Sequence, residues 1–108
     1  QFGAPTWSRT IADTTALVLA QAHAGGPEWW NQHRGIYHLS SQGQTNWYEF
    51  TRAILDEAGI DCRVVPITSA EYPVPARRPE YSVLSSERLT ARCCRLPEWR
   101  EALKLCLT

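Results

Sequence analysis

Residues 35–50 read GIYHLSSQGQTNWYEF, a stretch that predicts a strand followed by a helix. Its first part, Gly35 to Ser40, is rich in β-forming residues and largely apolar on both faces, as in a strand that lies inside a sheet. Ser41 to Gln44 then interrupts this pattern. We therefore expect a buried strand that ends near Ser40.

The second part of the stretch predicts a capped amphipathic helix. Asn46 is a favoured helix N-cap, and Glu49 three residues later approximates a capping box. Apolar side chains then recur at helical spacing as far as Gly59, at Trp47, Phe50, Ile54 and Ala58. Because Trp47 lies on this stripe, we expect it to be a core residue.

The residues before this stretch predict a helix and a loop. Thr6 or Ser8 can cap a helix that runs to about Ala24, where Gly25-Gly26-Pro27 supplies a stop. The segment from Glu28 to Arg34 is polar apart from its two tryptophans. It predicts a loop whose aromatic rings pack on a surface.

The residues after it predict one extended segment and two further helices. Cys62 to Ile67 is β-like but interrupted by a proline, so it is either an edge strand or an extended connection. Ser85 can cap a short helix, with Leu84 and Leu89 as a hydrophobic staple around it. Pro97 is suited to the first turn of a last helix.

Two strand-like segments among four helices define the expected fold class. An isolated pair of strands is marginally stable in water, so these strands need a sheet supplied by other sequence or by a second copy. We expect an α/β (α+β) fold of helices with a few short strands, as a single domain over residues 1–108. Uncovered strands and apolar surface also predict a homo-oligomer.

Composition excludes several classes of partner. Eleven basic residues balance eleven acidic ones, so no overall charge draws the chain to nucleic acid or to an anionic membrane. No apolar run approaches the roughly 20 residues that span a bilayer, and we expect a cytoplasmic protein. The cysteines, at 62, 93, 94 and 106, form no Cys-x-x-Cys pair and predict free thiols without a metal.

Four motifs occur in order along the chain: QFGAPT at residues 1–6, GIYHL with NWYEF within 35–50, YPVPARRP at 72–79, and LPEW at 96–99. Each motif alone is weak. Their order and spacing resemble the C-terminal third of dTDP-4-dehydrorhamnose reductases, and the resemblance covers nearly the whole chain. It implies reduction of dTDP-4-dehydro-L-rhamnose to dTDP-L-rhamnose, with NADPH or NADH, in nucleotide-sugar biosynthesis.

The resemblance also implies that part of the enzyme is absent from this sequence. In that family, within the extended short-chain dehydrogenase group, an N-terminal Rossmann domain carries a Gly-rich turn and a Tyr-x-x-x-Lys pair. Neither pattern occurs here, and the only lysine is Lys104. We therefore expect the C-terminal substrate-binding lobe without its Rossmann domain. This chain should hold no catalytic residue, bind no cofactor and be inactive alone.

Two adjacent arginines are the main candidates for contact with a dTDP-sugar. A guanidinium group matches phosphate oxygens in bidentate geometry, and Arg77 and Arg78 lie in the Arg-Pro loop that related enzymes place on the substrate diphosphate. The resemblance favours Arg78 over Arg77. The alternative from the residues alone is that both are solvated or pair with Glu71 and Glu80.

Further candidates come from the first motif and from one histidine. By resemblance, Pro5 and Thr6 line the substrate cleft, although Thr6 is equally suited to capping a helix. His38 lies inside the predicted strand without a nucleophile around it, so it is interpreted as a hydrogen-bonded structural histidine.

The sequence departs from the family at two places. Tyr81 stands before Ser82 where the family often has Asn, which puts the fine shape of the site in doubt. Arg9 follows the first motif where metal-bridged members have an acidic residue, which argues against a magnesium-bridged dimer.

Two other functions remain open at this point. One branch of the family is a regulatory subunit of methionine adenosyltransferase, so a non-catalytic binding protein is the alternative. A chain without function that associates with its own copies is the third possibility.

Overall fold

A computed structural model describes all 108 residues of the chain. It contains two short strands, four α-helices and one 3-10 turn. In chain order these are β1 (Phe2–Gly3), α1 (Ser8–Gln32), β2 (Thr45–Asn46), α2 (Trp47–Ala58), the 3-10 turn Ser69–Glu71, α3 (Glu87–Arg92) and α4 (Trp99–Cys106). The expected fold class, helices with a few short strands, is confirmed.

Helix α1 is longer than its sequence predicts. The predicted stop is a kink: Gly26 leaves the helical region with φ 67° and ψ −162°, and the helix resumes through Pro27 to Gln32. Proline is well suited to restarting a helix because its φ is already helical and its missing N–H is not needed in a first turn. The predicted loop after Pro27 is therefore helical as far as Gln32. At this end of the helix the Trp29 ring stacks on the His33 ring, with 4.2 Å between the ring centroids.

The predicted strand at 35–40 is wrong, and residues 62–67 form the extended connection and not the edge strand. Neither residues 35–40 nor residues 62–67 pair with another strand. Residues 62–67 are exposed apart from Val64, and residues 35–40 are buried only at Ser40, while Ile36 has 78% of its surface open to solvent. A strand requires a neighbour to receive its backbone hydrogen bonds, and no such neighbour lies beside these segments.

The strands that do form lie in places that the residue pattern did not indicate. β1 and β2 pair in antiparallel orientation, with Phe2 opposite Asn46 and Gly3 opposite Thr45. Each strand has only two residues, which is too short for a period-2 pattern to be visible. Their pairing joins the first residues of the chain to the start of α2.

Helix α2 follows its prediction at both ends. The Asn46 side chain accepts a hydrogen bond from the Glu49 backbone N–H at 2.8 Å. At the other end Gly59 adopts the left-handed conformation, with φ 68°, and its N–H returns to the last turn. Both signals are local, so they operate without help from tertiary structure.

The last two helices form close to their predicted positions with different caps. Ser86, not Ser85, stands at the N-cap of α3, and Leu89 is buried while Leu84 is half exposed, so the predicted staple is not made. Pro97 precedes α4, which begins at Trp99. The Gln42 backbone pairs with residues 97 and 99 and fixes this helix start beside the 41–44 turn.

The core of the chain is small. Only 12 of 108 residues are buried, and the apolar ones are Ala22, Ala53, Leu89, Leu96, Ala102 and Leu103. The accessible surface is 8134 Å², against about 6,000 Å² expected for a compact protein of this mass. The radius of gyration is 17.2 Å, against about 13 Å for a compact domain of this length. Apolar surface is thus left uncovered along the molecule. None of the helices has the length and apolar character needed to cross a bilayer.

Replacing Gly59 by alanine should destabilise α2. A Cβ at this position has free space but would be held at a positive φ, which costs about 1 kcal/mol in an L-residue. Gly59→Asn is the matched control because asparagine tolerates this conformation better. Urea unfolding should rank wild type above Gly59→Asn and Gly59→Asn above Gly59→Ala. Equal midpoints for all three would contradict the role of the left-handed cap.

Candidate functional site

Three distant parts of the chain meet at the backbone of Phe2. On one side Phe2 pairs with Asn46 in the β1–β2 ladder. On the other, its N–H donates to the Glu80 carbonyl at 2.6 Å, and its carbonyl accepts from the Ser82 N–H at 2.8 Å. The first residues of the chain therefore lie between the start of α2 and the Arg-Pro loop.

Gly3 lies close to this loop. A Cβ built on Gly3 would lie 3.0 Å from the Ser82 hydroxyl oxygen, which would have to shift by a few tenths of an ångström. The same hydroxyl donates to the Phe2 carbonyl at 3.2 Å. The departure at Tyr81 is also accommodated, because its hydroxyl donates to the Gln44 side chain at 3.1 Å.

Two adjoining grooves flank this meeting point. The first groove has a volume of about 300 Å³, and its lining includes Pro5, Phe50 and Pro79. The second groove has a volume of about 440 Å³ and is walled by Tyr72 and the 66–69 segment. Five residues line both grooves: Gln1, Phe2, Asn46, Trp47 and Arg78.

Arg78 stands in the grooves with its charge unpaired. The three ion pairs of the structure are Arg95–Glu101 and those of Arg100 with Asp56 and Glu57, at 3.7 to 4.0 Å. No side-chain hydrogen bond of Arg78 is present either. Pairing with Glu71 or Glu80 does not occur, and both arginines are exposed to solvent, as the other half of that alternative expects. Arg77 is also unpaired, but it lines neither groove.

Pro5 and Thr6 occupy different positions relative to the grooves. Pro5 lines the first groove. The Thr6 hydroxyl donates to the Ala4 carbonyl at 3.1 Å and accepts from the Ser41 N–H at 3.0 Å, which fastens the first loop to the 41–44 turn. It does not cap α1, whose N-cap is Trp7. Thr6 itself lines neither groove.

Two other sequence interpretations are corrected. Trp47 is not a core residue: 64% of the residue's surface is exposed, and it lines both grooves. Helical side chains lean toward the helix N-terminus, so the first residue of a helix has no preceding turn to pack on. His38 is exposed and lies outside any strand. The sequence predicts His38 inside a strand, and this strand does not form.

The 3-10 turn that walls the second groove is fastened by one carboxylate. Glu71 accepts hydrogen bonds from the Thr68 backbone N–H and the Thr68 hydroxyl, both at 3.0 Å. These donors favour the charged form and hold the pKa of Glu71 below its usual range, the backbone N–H having the larger effect. The Glu71 carboxylate is thus hydrogen-bonded within its own turn.

The chain's own residues do not fit a nicotinamide dinucleotide. Such a cofactor is held where a parallel strand leads through a Gly-rich turn into a helix, and the two strands here are antiparallel and two residues long. Lys104 lies in α4, and none of the four tyrosines has a lysine four residues on.

Comparison with known proteins gives the family. The model of the RmlD substrate binding domain matches residues 1–108. The dTDP-4-dehydrorhamnose reductase of Burkholderia thailandensis is 47% identical over 99% of this chain. Among solved structures, the dTDP-4-dehydrorhamnose reductase of Clostridium acetobutylicum matches 97% of the chain with a TM-score of 0.80 and 33% identity. That of Bacillus anthracis, solved in complex with NADP, matches 96% with a TM-score of 0.77 and 26% identity.

The fold is that of the matching part of the two solved dTDP-4-dehydrorhamnose reductases, consistent with a C-terminal lobe. The chain belongs to the RmlD substrate binding domain family. It spans 39% of the Burkholderia relative and 34% and 33% of the two solved chains, so it corresponds to about a third of such an enzyme.

Acid should loosen the turn that walls the second groove. The folded pKa of Glu71 is depressed, so its contribution is present above the unfolded pKa and is lost as pH falls through the folded pKa. An NMR titration of the Glu71 carboxyl carbon should give a midpoint below the ordinary glutamate range, with the Thr68 amide shifting in parallel. Thr68→Val, which keeps the N–H and removes the hydroxyl, should raise the midpoint only part of the way. An ordinary midpoint in the wild type would contradict the two hydrogen bonds.

Proposed function

We propose that this chain is the substrate-binding part of a dTDP-4-dehydrorhamnose reductase. The reaction is the NADPH- or NADH-dependent reduction of dTDP-4-dehydro-L-rhamnose to dTDP-L-rhamnose, in the biosynthesis of L-rhamnose for polysaccharides. The observation that carries the proposal is the unpaired Arg78 between two grooves in a chain of this family. The names of the relatives supply the substrate.

The chemistry of the groove matches a nucleoside diphosphate sugar. A diphosphate requires positive, forked donors, and a guanidinium group that has no internal partner keeps all its N–H groups available. In the proposal Arg78 binds the diphosphate, and Arg77 adds positive charge from just outside the groove. Pro5 contacts the sugar side of the substrate, while Thr6 holds the loop in place.

The proposal assigns cofactor binding and proton delivery to an N-terminal Rossmann domain of the complete enzyme. The large accessible surface and the small core of the lobe support a neighbouring domain. The surface exceeds that of a compact protein of this mass by about 2,000 Å². This excess is the size of a stable protein interface. The 108 residues alone bind no cofactor and show no turnover. The four unpaired cysteines favour a reducing compartment, so the proposal places the enzyme in the cytoplasm.

Binding of dTDP tests this proposal directly. Calorimetry on the chain should detect dTDP binding that weakens about tenfold or more in Arg78→Ala, since hydrogen bonds to charged groups contribute about 1.5 to 3 kcal/mol. Arg78→Lys should be intermediate because an ammonium group acts as a point charge. Arg77→Ala is the matched control and should lose clearly less. If a folded wild-type chain bound no dTDP, the non-catalytic, regulatory alternative would be favoured instead.

The exposed apolar surface also leads us to propose that the isolated chain associates with itself. Light scattering at micromolar concentration should give a mass about twice the 12.2 kDa of one chain or more. Ile36→Asp, at the most exposed of the large apolar residues, should shift the mass toward that of a monomer. A strictly monomeric wild-type chain would contradict self-association and leave the substrate-binding proposal intact.

A further inference from the structure

A third groove lies apart from the two at Phe2 and shares none of their lining residues. Its volume is about 720 Å³, within the range of about 300 to 1,000 Å³ that is usual for small-molecule sites. Its walls come from both halves of α1, from the segment 33–39 and from the end of α3 at Leu89 and Cys93. None of its lining residues is Asp or Glu. The molecule thus has a second cavity of ligand size, and its lining carries no negative charge.

The kink in α1 gives the third groove its shape. Val18 and Trp30 both line it, although along a straight helix they would lie about 18 Å apart. At Gly26 the backbone leaves the helical conformation and turns the second half of the helix away from the axis of the first. The Gln21 side chain then fastens the first half to the end of α3 by donating to the Cys93 carbonyl at 2.7 Å. The groove is therefore built into the contact between α1 and α3.

One wall of the third groove is aromatic. The Trp29 ring stacks on His33 and meets the Trp30 ring edge to face, with 5.4 Å between the indole centroids. The Tyr37 hydroxyl donates to the His33 carbonyl at 2.8 Å, which ties the fourth ring to the same wall. Trp30 has 54% of its surface exposed, so a flat apolar molecule lying on this wall would remove indole surface from water.

Three arginines form a positive edge beside this wall. Arg34 lines the groove itself. The Arg88 guanidinium carbon lies 5.8 Å from the centre of the Tyr37 ring, and Arg92 donates to the Tyr37 hydroxyl at 3.2 Å. None of the three arginines takes part in an ion pair. A purely apolar cover would take Arg34 out of water without a partner, which is costly, so the molecule that fits the groove carries a negative charge.

We propose that the third groove binds a small aromatic anion, a molecule with a flat apolar body and a carboxylate, sulfonate or phosphate group. The body lies against Trp29 and Trp30, and the anionic group pairs with Arg34. A guanidinium group presents forked N–H donors that match the oxygens of any of these anions. Because the third groove shares no lining residue with the grooves at Phe2, this site is separate from the proposed substrate site.

An NMR titration of the chain with naphthoate tests this site. The indole N–H signals of Trp29 and Trp30 should move until the site is saturated, while the signal of Trp47, in the other grooves, should move less. Neutral naphthamide has the same flat body without the charge and should bind about three- to tenfold more weakly. Arg34→Ala should remove this difference by weakening naphthoate alone. Arg9→Ala, at an exposed arginine of α1 that lies outside the groove and has no ion pair, is the matched control and should bind like the wild type.

A second variant tests the aromatic wall. Trp30→Ala should weaken naphthoate and naphthamide alike, and it should leave the fold intact because Trp30 is exposed. If naphthoate causes no saturable movement of the Trp29 and Trp30 signals, or moves the Trp47 signal instead, the site is overturned. Equal affinities for the two probes in the wild type, or equal losses in Arg9→Ala and Arg34→Ala, overturn it as well. Saturating dTDP should leave naphthoate bound, and displacement by dTDP would show that the two sites are not separate.

Discussion

The backbone of Phe2 is the constraint on which the site depends. Phe2 lies opposite Asn46 in the β1–β2 ladder, and its own N–H and carbonyl bond to Glu80 and Ser82 on the other side. Each backbone hydrogen bond contributes only about 1 kcal/mol net, but the ladder and the loop contacts together connect Phe2 to residues 44 and 80 positions away. Gly3, the next residue of the ladder, places no Cβ against the Ser82 hydroxyl that bonds to Phe2. Without this junction, Arg78 and Trp47 would have no reason to be neighbours.

Asn46 extends this constraint into the helix that follows. Its backbone completes the ladder, and its side chain caps α2 through the Glu49 N–H. One residue thus fixes both the position and the direction of the helix. The ladder places the helix start beside the first loop, and the cap ensures that Trp47 is the first helical residue. The aromatic surface in the groove follows from these two roles.

The sequence predicts the parts of this structure that are locally determined. The caps of α2 are visible at Asn46 and Gly59 because each acts within one helical turn. The strands were misplaced because pairing depends on which segments meet, and two-residue ladders leave no pattern in the residues. The kink at Gly26 was interpreted as an end since nothing in the local sequence shows that the helix resumes beyond it. The choice of Arg78 over Arg77 as the diphosphate-binding residue comes from the family resemblance. The exposure of Trp47 is visible only in the structure.

The unpaired charge of Arg78 is what the fold leaves available to a ligand. The three ion pairs of the structure involve other arginines, and the Glu71 carboxylate accepts both of its hydrogen bonds within its own turn. Trp47 is exposed on the same grooves because, as the first residue of α2, it has no earlier helical turn to pack on. A free guanidinium group on a groove suits an anionic ligand, such as the diphosphate of the proposed substrate.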